Sequence, residues 1–279
     1  MNSINKCPVC EDELVYTSDK AEINCFYCNE AATTQLVCLN GHHVCNECDS
    51  KDINSLISIY CQTTNLTDPI QIATNLMNNA HFATHGAEHH FLVPAALITA
   101  YYNHKNQPEL KTNALEMARN RSSIIPYGFC AMNGTCGAGI GAGTFISIIT
   151  KASPLSEKEW QMANLMTARS LERIARNGGP RCCKRDTFIS LVTATEFLEE
   201  LFGVSLEHSS RIRCPYFHKN SECTLEDCMF YPTDMVKKKV SMNRNFVYTI
   251  SDVKLLEINF SCMGFKTSRL PVFTVHFPL

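Results

Sequence analysis

The stretch Cys136-Gly-Ala-Gly-Ile-Gly-Ala-Gly-Thr-Phe-Ile-Ser-Ile-Ile-Thr150 has no charged residue, repeats glycine in its first half and is apolar nearly all round in its second. A helix that is apolar on every face lies in a protein interior. Each glycine costs about 1 kcal/mol of helix stability relative to alanine. Several glycines in one helix therefore indicate that a neighbouring helix or a bound group approaches the backbone closely. The stretch therefore predicts the buried central helix of a mainly α-helical body.

Other helical patterns with recognisable ends surround this segment. Pro69 and Pro94 each stand near the first turn of a predicted helix, where proline is tolerated. Ser156 and Glu159 have the spacing of a capping box, and Asp186 can cap the last helix. The predicted helices span 52–61, 67–79, 93–103, 108–120, 156–175 and 186–203.

Composition narrows the class of protein. The chain has 279 residues, of which 45% are hydrophobic and 19% charged, and this balance is typical of a globular protein. A net charge of −2 does not favour binding to nucleic acid or to an anionic membrane. No apolar run reaches the roughly 18 residues of a membrane span, and the first residues lack the apolar region of a signal peptide. We therefore expect a cytoplasmic protein with no membrane partner.

The sixteen cysteines begin with a spaced set of paired ligands. In a reducing compartment, cysteines at this density are metal ligands or working thiols more often than disulfides. From Cys25 the spacing C-x2-C-x9-C-x3-H-x2-C-x2-C resembles the first six ligands of a RING finger, with the missing pair supplied from upstream, as in a permuted cross-brace. The two predicted sets are Cys25, Cys28, Cys45 and Cys48, and Cys7, Cys10, Cys38 and His42.

Each predicted set has four protein ligands, which is the closed coordination of a structural zinc. The first fifty residues therefore predict two structural zinc ions. His43 is a rival to His42, and spacing alone does not choose between them.

A second group of cysteines lies around the central helix. Cys136 stands at its predicted N-terminus, and Cys183 stands near the start of the next helix among Arg181, Lys184 and Arg185. Helix N-termini and flanking cations favour a thiolate, so lowered pKa values are expected. An iron–sulfur cluster and a dithiol relay both fit, and some of these thiols can instead be small buried hydrophobic residues. The predicted cofactor-binding residues are Cys130, Cys136, Cys182, Cys183, Gly137 and Gly139.

Four histidines fall within ten residues, from His81 to His90. A helical turn here would place His85 and His89 on one face, as metal ligands or acid–base groups, with Glu88 beside them. The alternative is a polar loop whose histidines bridge neighbouring helices.

Near the C-terminus the spacing C-x8-C-x4-C resembles three ligands of a CCCH zinc finger, with Pro232 where the histidine is expected. His218, Cys262 or an exogenous ligand can complete a third zinc site, and three cysteines with an open corner also suit a [4Fe–4S] cluster. The three cysteines are Cys214, Cys223 and Cys228.

Aromatic and basic residues accompany these cysteines. They allow either a stacking surface for RNA or simple packing around the metal knuckle. Strand-like runs at 245–250, 254–260 and 271–277 follow and predict a small sheet. The aromatic residues are Tyr216, Phe217, Phe230 and Tyr231, and the basic ones are Arg211, Arg213, Lys219 and Lys237–Lys239.

Three motifs carry a family resemblance: HGAEHHFLVPAALITAYYN from His85, TCGAGIGAG from Thr135 and GGPRCCKR from Gly178. Over roughly residues 20–232 the chain resembles a family of uncharacterised cysteine-rich proteins of anaerobic bacteria and archaea. That domain of unknown function occurs alone or joined to SAM-dependent methyltransferases, which implies a methyltransferase or other protein as a partner. The run from Cys136 to Ala142 also resembles the CGAxxGA segment of redox-associated proteins, which implies a redox or cluster-binding cysteine.

These features predict three regions: a two-zinc module at 1–50, a helical body with a Cys/His centre at 51–207, and a cysteine knuckle with strands at 208–279. The predicted function is that of a cytosolic metalloprotein whose thiol or iron–sulfur centre performs redox or sulfur-transfer chemistry. The alternative is a non-enzymatic zinc-binding module that binds RNA or a partner protein.

Overall fold

Helices account for most of the chain that the structure, a computed structural model, describes, namely residues 6–209 and 211–233. This confirms the predicted mainly α class. An N-terminal antiparallel hairpin of β1 (Leu14–Asn24) and β2 (Ala31–Cys38) pairs Leu14 with Cys38 and Asn24 with Ala31. The helices are α1 (Asn46–Asp49), α2 (Ile53–Thr63), α3 (Pro69–Met77), α4 (Glu88–His104), α5 (Lys111–Ser123), α6 (Phe129–Met132), α7 (Gly137–Ile149), α8 (Lys158–Arg176) and α9 (Cys183–Phe202). Short 3-10 turns span Pro108–Leu110, Phe217–Lys219 and Leu225–Asp227.

Helix α7 is the buried centre of the body. It packs against α4, α5, α8 and α9. Phe145 and Ile146 on α7 have no exposed surface. The prediction of a central apolar helix is therefore confirmed.

One glycine strip of α7 faces α4. A Cβ atom at Gly137 would overlap the ring of His90, and one at Gly141 would lie 2.8 Å from Cδ of Pro94 and 3.0 Å from the His90 carbonyl oxygen. Because real Cβ contacts are longer, only glycine permits this approach. The space beside Gly137 is thus filled by the His90 ring.

The other glycine strip faces α8. A Cβ atom at Gly139 would lie 2.8 Å from Cδ2 of Leu171, and one at Gly143 would lie 2.9 Å from the carbonyl oxygen of Ala163. Gly139 therefore also faces a helix, and cofactor binding by Gly137 and Gly139 stays a prediction.

Helix α4 begins at Glu88, five residues before the predicted start, and Pro94 lies inside it. Proline removes the hydrogen bond to the carbonyl four residues earlier, here that of His90. The Ser122 hydroxyl of α5 donates to this oxygen at 3.1 Å. A tertiary hydrogen bond therefore compensates for the missing helical one and lets the helix extend past the proline.

The two last long helices also begin differently from the prediction. Ser156 does not cap α8, because its hydroxyl accepts from the Ser153 N–H at 2.9 Å, and the helix starts at Lys158. Helix α9 starts at Cys183, so Asp186 lies in its first turn and not at its cap. This shift places the Asp186 carboxylate in the interior.

The N-terminal hairpin region packs directly on the helical body. Tyr27 is 1% exposed, and its hydroxyl accepts a hydrogen bond from Asn79 Nδ2 at 2.8 Å. Thr63 donates to the Tyr27 carbonyl at 2.7 Å, and the rings of Phe26 and Tyr60 stack at 5.5 Å. The described residues form one compact unit, and the three predicted regions stay a prediction.

The predicted strands at 245–277, the lysines at 237–239 and Cys262 lie outside the described residues. Within 6–209 and 211–233, no helix combines the length and the apolar character that crossing a bilayer requires.

Candidate metal and thiol centres

The first cysteine set, at the base of the hairpin, gathers Cys7, Cys10, Cys38 and His42 with their ligand atoms all within 4.8 Å of one another. Cys10 Sγ lies 3.5 Å from Cys38 Sγ, and His42 Nδ1 lies 3.8 Å from the Sγ atoms of Cys7 and Cys38. Tetrahedral zinc with bonds of about 2.3 Å separates its ligands by about 3.8 Å. The donor set and its spacing fit such an ion. His43 is not in the set, and its carbonyl accepts the Phe26 N–H at 2.7 Å.

The second set gathers Cys25, Cys28, Cys45 and Cys48, again within 4.8 Å. Cys28 Sγ and Cys45 Sγ are 3.8 Å apart. Both groupings are those that the spacing predicts, and both can hold a metal ion.

Backbone N–H groups support these thiols. Val9 donates to Cys7 Sγ and Asn40 donates to Cys38 Sγ, each at 3.4 Å. Burial raises the Cys25 pKa, but hydrogen bonds from backbone N–H groups outweigh it and lower this pKa to about 7. Bonds of this kind orient thiolate ligands around a metal. With four protein ligands each, neither site leaves a coordination position for substrate.

A separate thiol centre lies where α7 and α9 begin. Cys136 is the N-cap of α7 and Cys183 is the first residue of α9. The Cys136 thiol donates to Asp186 Oδ2 at 3.8 Å. Cys183 interacts electrostatically with Asp186 and with Cys130. Cys136 and Cys183 therefore both lie near one buried carboxylate, and Cys130 lies near Cys183.

The pKa values of these thiols are raised, contrary to the prediction. Burial, and then the Asp186 charge, raise the Cys136 pKa to about 12, while the N–H groups of Ala138 and Gly139 lower it by less. Burial also raises the Cys183 pKa to about 11. The Asp186 pKa is raised by burial too, against the effect of Arg185. Desolvation outweighs the helix N-terminus because surrounding protein removes most of the solvent around both half-buried thiols.

Cys182 is close enough to Cys183 and Asp186 to interact with both electrostatically, but its thiol makes its hydrogen bond elsewhere. Its Sγ accepts a hydrogen bond from Asn220 Nδ2 at 3.7 Å, and it faces a different cavity. The vicinal cysteines thus diverge into two sites, which splits the predicted set of Cys130, Cys136, Cys182 and Cys183.

The cavity that Cys182 faces has a volume of about 370 Å³ including its open mouth. Lys184, Arg185 and Asn220 contribute to its wall. His218 is exposed and does not line it. Its lining includes four cysteines, Cys182, Cys214, Cys223 and Cys228, and four aromatic residues, Tyr216, Phe217, Phe230 and Tyr231.

These aromatic residues pack around the cysteines. Tyr216 and Phe230 are buried, Phe230 contacts Phe188 edge to face, and Phe217 contacts Tyr231 in the same way. Of the two alternatives for these aromatic residues, this arrangement favours packing around the cysteines over a stacking surface for RNA.

Residues 81–87 form a loop, whereas His89 and His90 lie in the first turn of α4. His85 Nε2 lies 3.2 Å from Asn220 Oδ1. His89 is buried, with Nδ1 2.9 Å from Thr187 Oγ1 and Nε2 3.4 Å from the Ala83 carbonyl. Both ring nitrogens of His89 are thereby engaged, so the predicted His85–His89 ligand pair does not form. His85 bridges from the loop to Asn220, as the alternative interpretation expects, and His89 bridges from α4 to Thr187.

Gly86 in this loop and Glu88 at the start of α4 lie beside the thiol centre. The Glu88 carboxylate lies against Gly86, where a Cβ atom would overlap it. The Gly86 N–H donates to the Cys183 thiol and lowers its pKa. The Glu88 carboxylate therefore contacts the Gly86 backbone, which in turn donates to the Cys183 thiol.

Two residues of these sites were missed from sequence. Asp186 follows Cys182 and Cys183 by one helical turn, and that spacing could have identified it. Asn220 contacts both His85 and Cys182, which lie 135 and 38 residues away in the chain. No local pattern predicts so distant a contact.

The fold and these sites define a mainly α-helical protein with two cysteine-rich sets that can hold metal ions. The chain belongs to a family of unknown function, DUF5714, whose model matches residues 57–231. The matched range includes the Cys136–Cys183 centre and the Cys182 cavity. Comparisons with curated proteins and with solved structures found no match.

Proposed function

We propose that this chain is a metalloprotein in which Cys130, Cys136 and Cys183 form a centre for thiol redox or sulfur-transfer chemistry. The observation that carries the proposal is the contact of Cys136 Sγ with the buried Asp186 carboxylate, 3.8 Å away, beside Cys183. A thiol nucleophile needs an adjacent group to take its proton. Asp186 is that group.

The chemistry follows from the charges. Burial keeps the Cys136 thiol protonated at neutral pH, so it reacts as its proton passes to Asp186. The resulting thiolate attacks one sulfur of a substrate disulfide, the S–S bond breaks, and the departing thiolate takes the electron pair and is then protonated. Asp186 returns the first proton to the departing thiolate and then takes the Cys183 proton. The Cys183 thiolate attacks the mixed disulfide and leaves a Cys136–Cys183 disulfide, and the second substrate thiolate departs with the electron pair and takes that proton. The protein dithiol is oxidised by two electrons and the substrate disulfide is reduced by two.

The N-terminal sets have a structural role in this proposal. Zinc in each would be held by four protein ligands, with no open position for a reaction. Zinc there would hold the hairpin in the shape that packs on Tyr60 and Asn79.

The test is thiol exchange on the full chain. We expect oxidation with a small disulfide to give a Cys136–Cys183 bond, detected by mass spectrometry of peptides and reversed by a dithiol reductant. Cys136→Ser and Cys183→Ser should each abolish this bond. Cys61→Ala, which removes a buried thiol from α2, is the matched control and should leave it intact. Unchanged thiol reactivity, sulfide and metal content in both serine variants would refute the proposal.

A binding role is the second candidate, favoured by the closed coordination of both N-terminal sets. On this alternative the chain is a zinc module that binds RNA or a partner protein. It predicts zinc as the sole metal, no reversible thiol exchange, and a salt-dependent affinity for the partner.

A further inference from the structure

We propose that Cys182, Cys214, Cys223 and Cys228 are the four ligands of one [4Fe–4S] cluster. This site is separate from the Cys136–Cys183 centre, and the inference does not rest on the function proposed for that centre.

The four cysteines come from two parts of the chain and face one preformed cavity. Cys182 is the N-cap of α9, and the other three lie in the turns after α9. The Cys214 N–H donates to the Phe230 carbonyl at 2.7 Å, which closes the turns into a loop. The Tyr216 hydroxyl lies 2.9 Å from Asn78 Oδ1 and holds that loop on α3.

The spacing of the ligands separates this site from the zinc sets. Within residues 6–209 and 211–233, the groups that bring three or more ligand atoms within 4.8 Å are the two N-terminal ones. The cysteines of the Cys182 cavity are therefore spread more widely than the ligands of one tetrahedral ion. A [4Fe–4S] cube binds each thiolate at a different iron and so needs a wider set.

Three of the four sulfurs have a hydrogen-bond donor nearby. The Leu225 N–H donates to Cys223 Sγ at 3.4 Å, and Asn220 Nδ2 donates to Cys182 Sγ at 3.7 Å. The Tyr216 N–H is directed at Cys214. Hydrogen bonds to ligand sulfurs stabilise the negative charge of a cluster and tune its potential.

The wall of the cavity suits a buried, negatively charged group. Lys184 is buried, with its Nζ 4.6 Å from the centre of the Tyr216 ring and 4.4 Å from that of Phe82. Arg185 is buried at the same wall. Burying cations in an apolar site is costly unless an opposite charge compensates them. Asp186 compensates Arg185 at 3.2 Å, whereas a cluster with four thiolates would compensate Lys184.

The experiment is anaerobic reconstitution of the full chain with ferrous iron and sulfide. We expect about four iron and four sulfide per chain, visible absorbance, and an electron paramagnetic resonance signal after reduction. Cys182→Ala and Cys214→Ala should each lose most of the iron and sulfide. Cys183→Ala, one residue along the chain but facing the other centre, and Cys136→Ala are the matched controls and should retain them.

Three results would overturn the inference: a wild-type chain that binds zinc at this site and takes up no sulfide, iron retained in both Cys182→Ala and Cys214→Ala, or iron lost in the Cys136 and Cys183 variants instead. Circular dichroism and N-terminal zinc content show whether each variant is folded. Because the wild-type result decides by itself whether a cluster forms, a misfolded variant does not block the test. Failure of thiol exchange with cluster binding intact would count against the proposed function alone.

Discussion

At the scale of single residues, burial decides the direction of the pKa shifts of Cys136, Cys183 and His89. The Cys136 and Cys183 pKa values are raised although both residues lie at helix N-termini, because desolvation disfavours a thiolate. The same effect disfavours the imidazolium form of buried His89. A position at a helix end therefore does not predict the charge of a side chain unless its burial is also known.

The His89 imidazole is expected to make stability depend on pH. Burial, and then Lys184, hold the His89 pKa well below 6.5 in the folded chain. The unfolded chain therefore binds the proton first, so this contribution is complete above about pH 6.5 and is lost as pH falls. Between pH 7.5 and 5.5 we expect the free energy of unfolding to fall by about 1–1.4 kcal/mol on account of His89.

Urea unfolding at the two pH values, in wild type and His89→Asn, measures this contribution. Asparagine keeps an acceptor for Thr187 but does not titrate, so the variant should lose less stability on acidification. An equal loss in both proteins would show that His89 is not the group responsible.

Zinc content should distinguish His42 from His43. Only His42 directs Nδ1 at Cys7 and Cys38. We expect His42→Ala to lose about one zinc per chain and His43→Ala to retain both, because three cysteines alone hold zinc less completely than four ligands. Elemental analysis of the purified variants measures this, and the reverse pattern would assign the ligand to His43.

At the scale of elements, the two glycine strips of α7 set how closely α4 and α8 approach it. Gly141 faces the Pro94 ring and the backbone of α4, and Gly143 faces the backbone of α8. A backbone oxygen cannot move aside as a side-chain tip can. The cost of adding a methyl group therefore depends on what lies opposite.

Gly143→Ala should be more destabilising than Gly139→Ala. Alanine adds about 1 kcal/mol of helix stability at either position, but at Gly143 it would press on the Ala163 carbonyl at 2.9 Å. Overpacking of this kind costs about 1–3 kcal/mol, for a clear net loss. Opposite Gly139 lies the flexible end of half-buried Leu171, so that variant should change stability by less than about 1 kcal/mol. Denaturant unfolding ranks the two, and equal effects would contradict the rigid α7–α8 contact.

At the scale of the whole molecule, the N-terminal metal sets and the helical body share a core. Tyr27 lies two residues after Cys25, is almost fully buried, and bonds to Asn79 of the body. Phe26 stacks on Tyr60 of α2. The metal sites and the body should therefore unfold together.

Loss of one N-terminal metal ion should lower the thermal stability of the helices. In Cys28→Ser the Tyr27 contacts weaken, and a loss of about 2–3 kcal/mol would lower Tm by roughly 5–10 °C. Circular dichroism at helix wavelengths measures Tm, and Cys130→Ser is the control because Cys130 lies far from this interface in the chain. An unchanged helical Tm in metal-depleted Cys28→Ser would show that the two parts are energetically independent.

The amino-acid sequence by itself determined the local features of this protein. The spacing from Cys7 to Cys48 predicted both ligand groupings, because knuckles of paired cysteines are short-range structures. The apolar run after Gly143 predicted a buried helix, because periodicity reports which faces are apolar. The predicted starts of α4 and α9 differ from the observed ones. A hydrogen bond from Ser122 of α5 lets α4 begin before Pro94, and α9 begins at Cys183, so that Asp186 lies in its first turn.

Only the tertiary structure decided which distant residues meet. Cys182 and Cys183 are adjacent in the chain, yet the start of α9 directs one toward the Asn220 cavity and the other toward Cys130 and Asp186. The depth of Cys136, and hence its raised pKa, also follows from helices packing over it. Side-chain direction and solvent exclusion depend on the whole packed body, and no local pattern of residues encodes them.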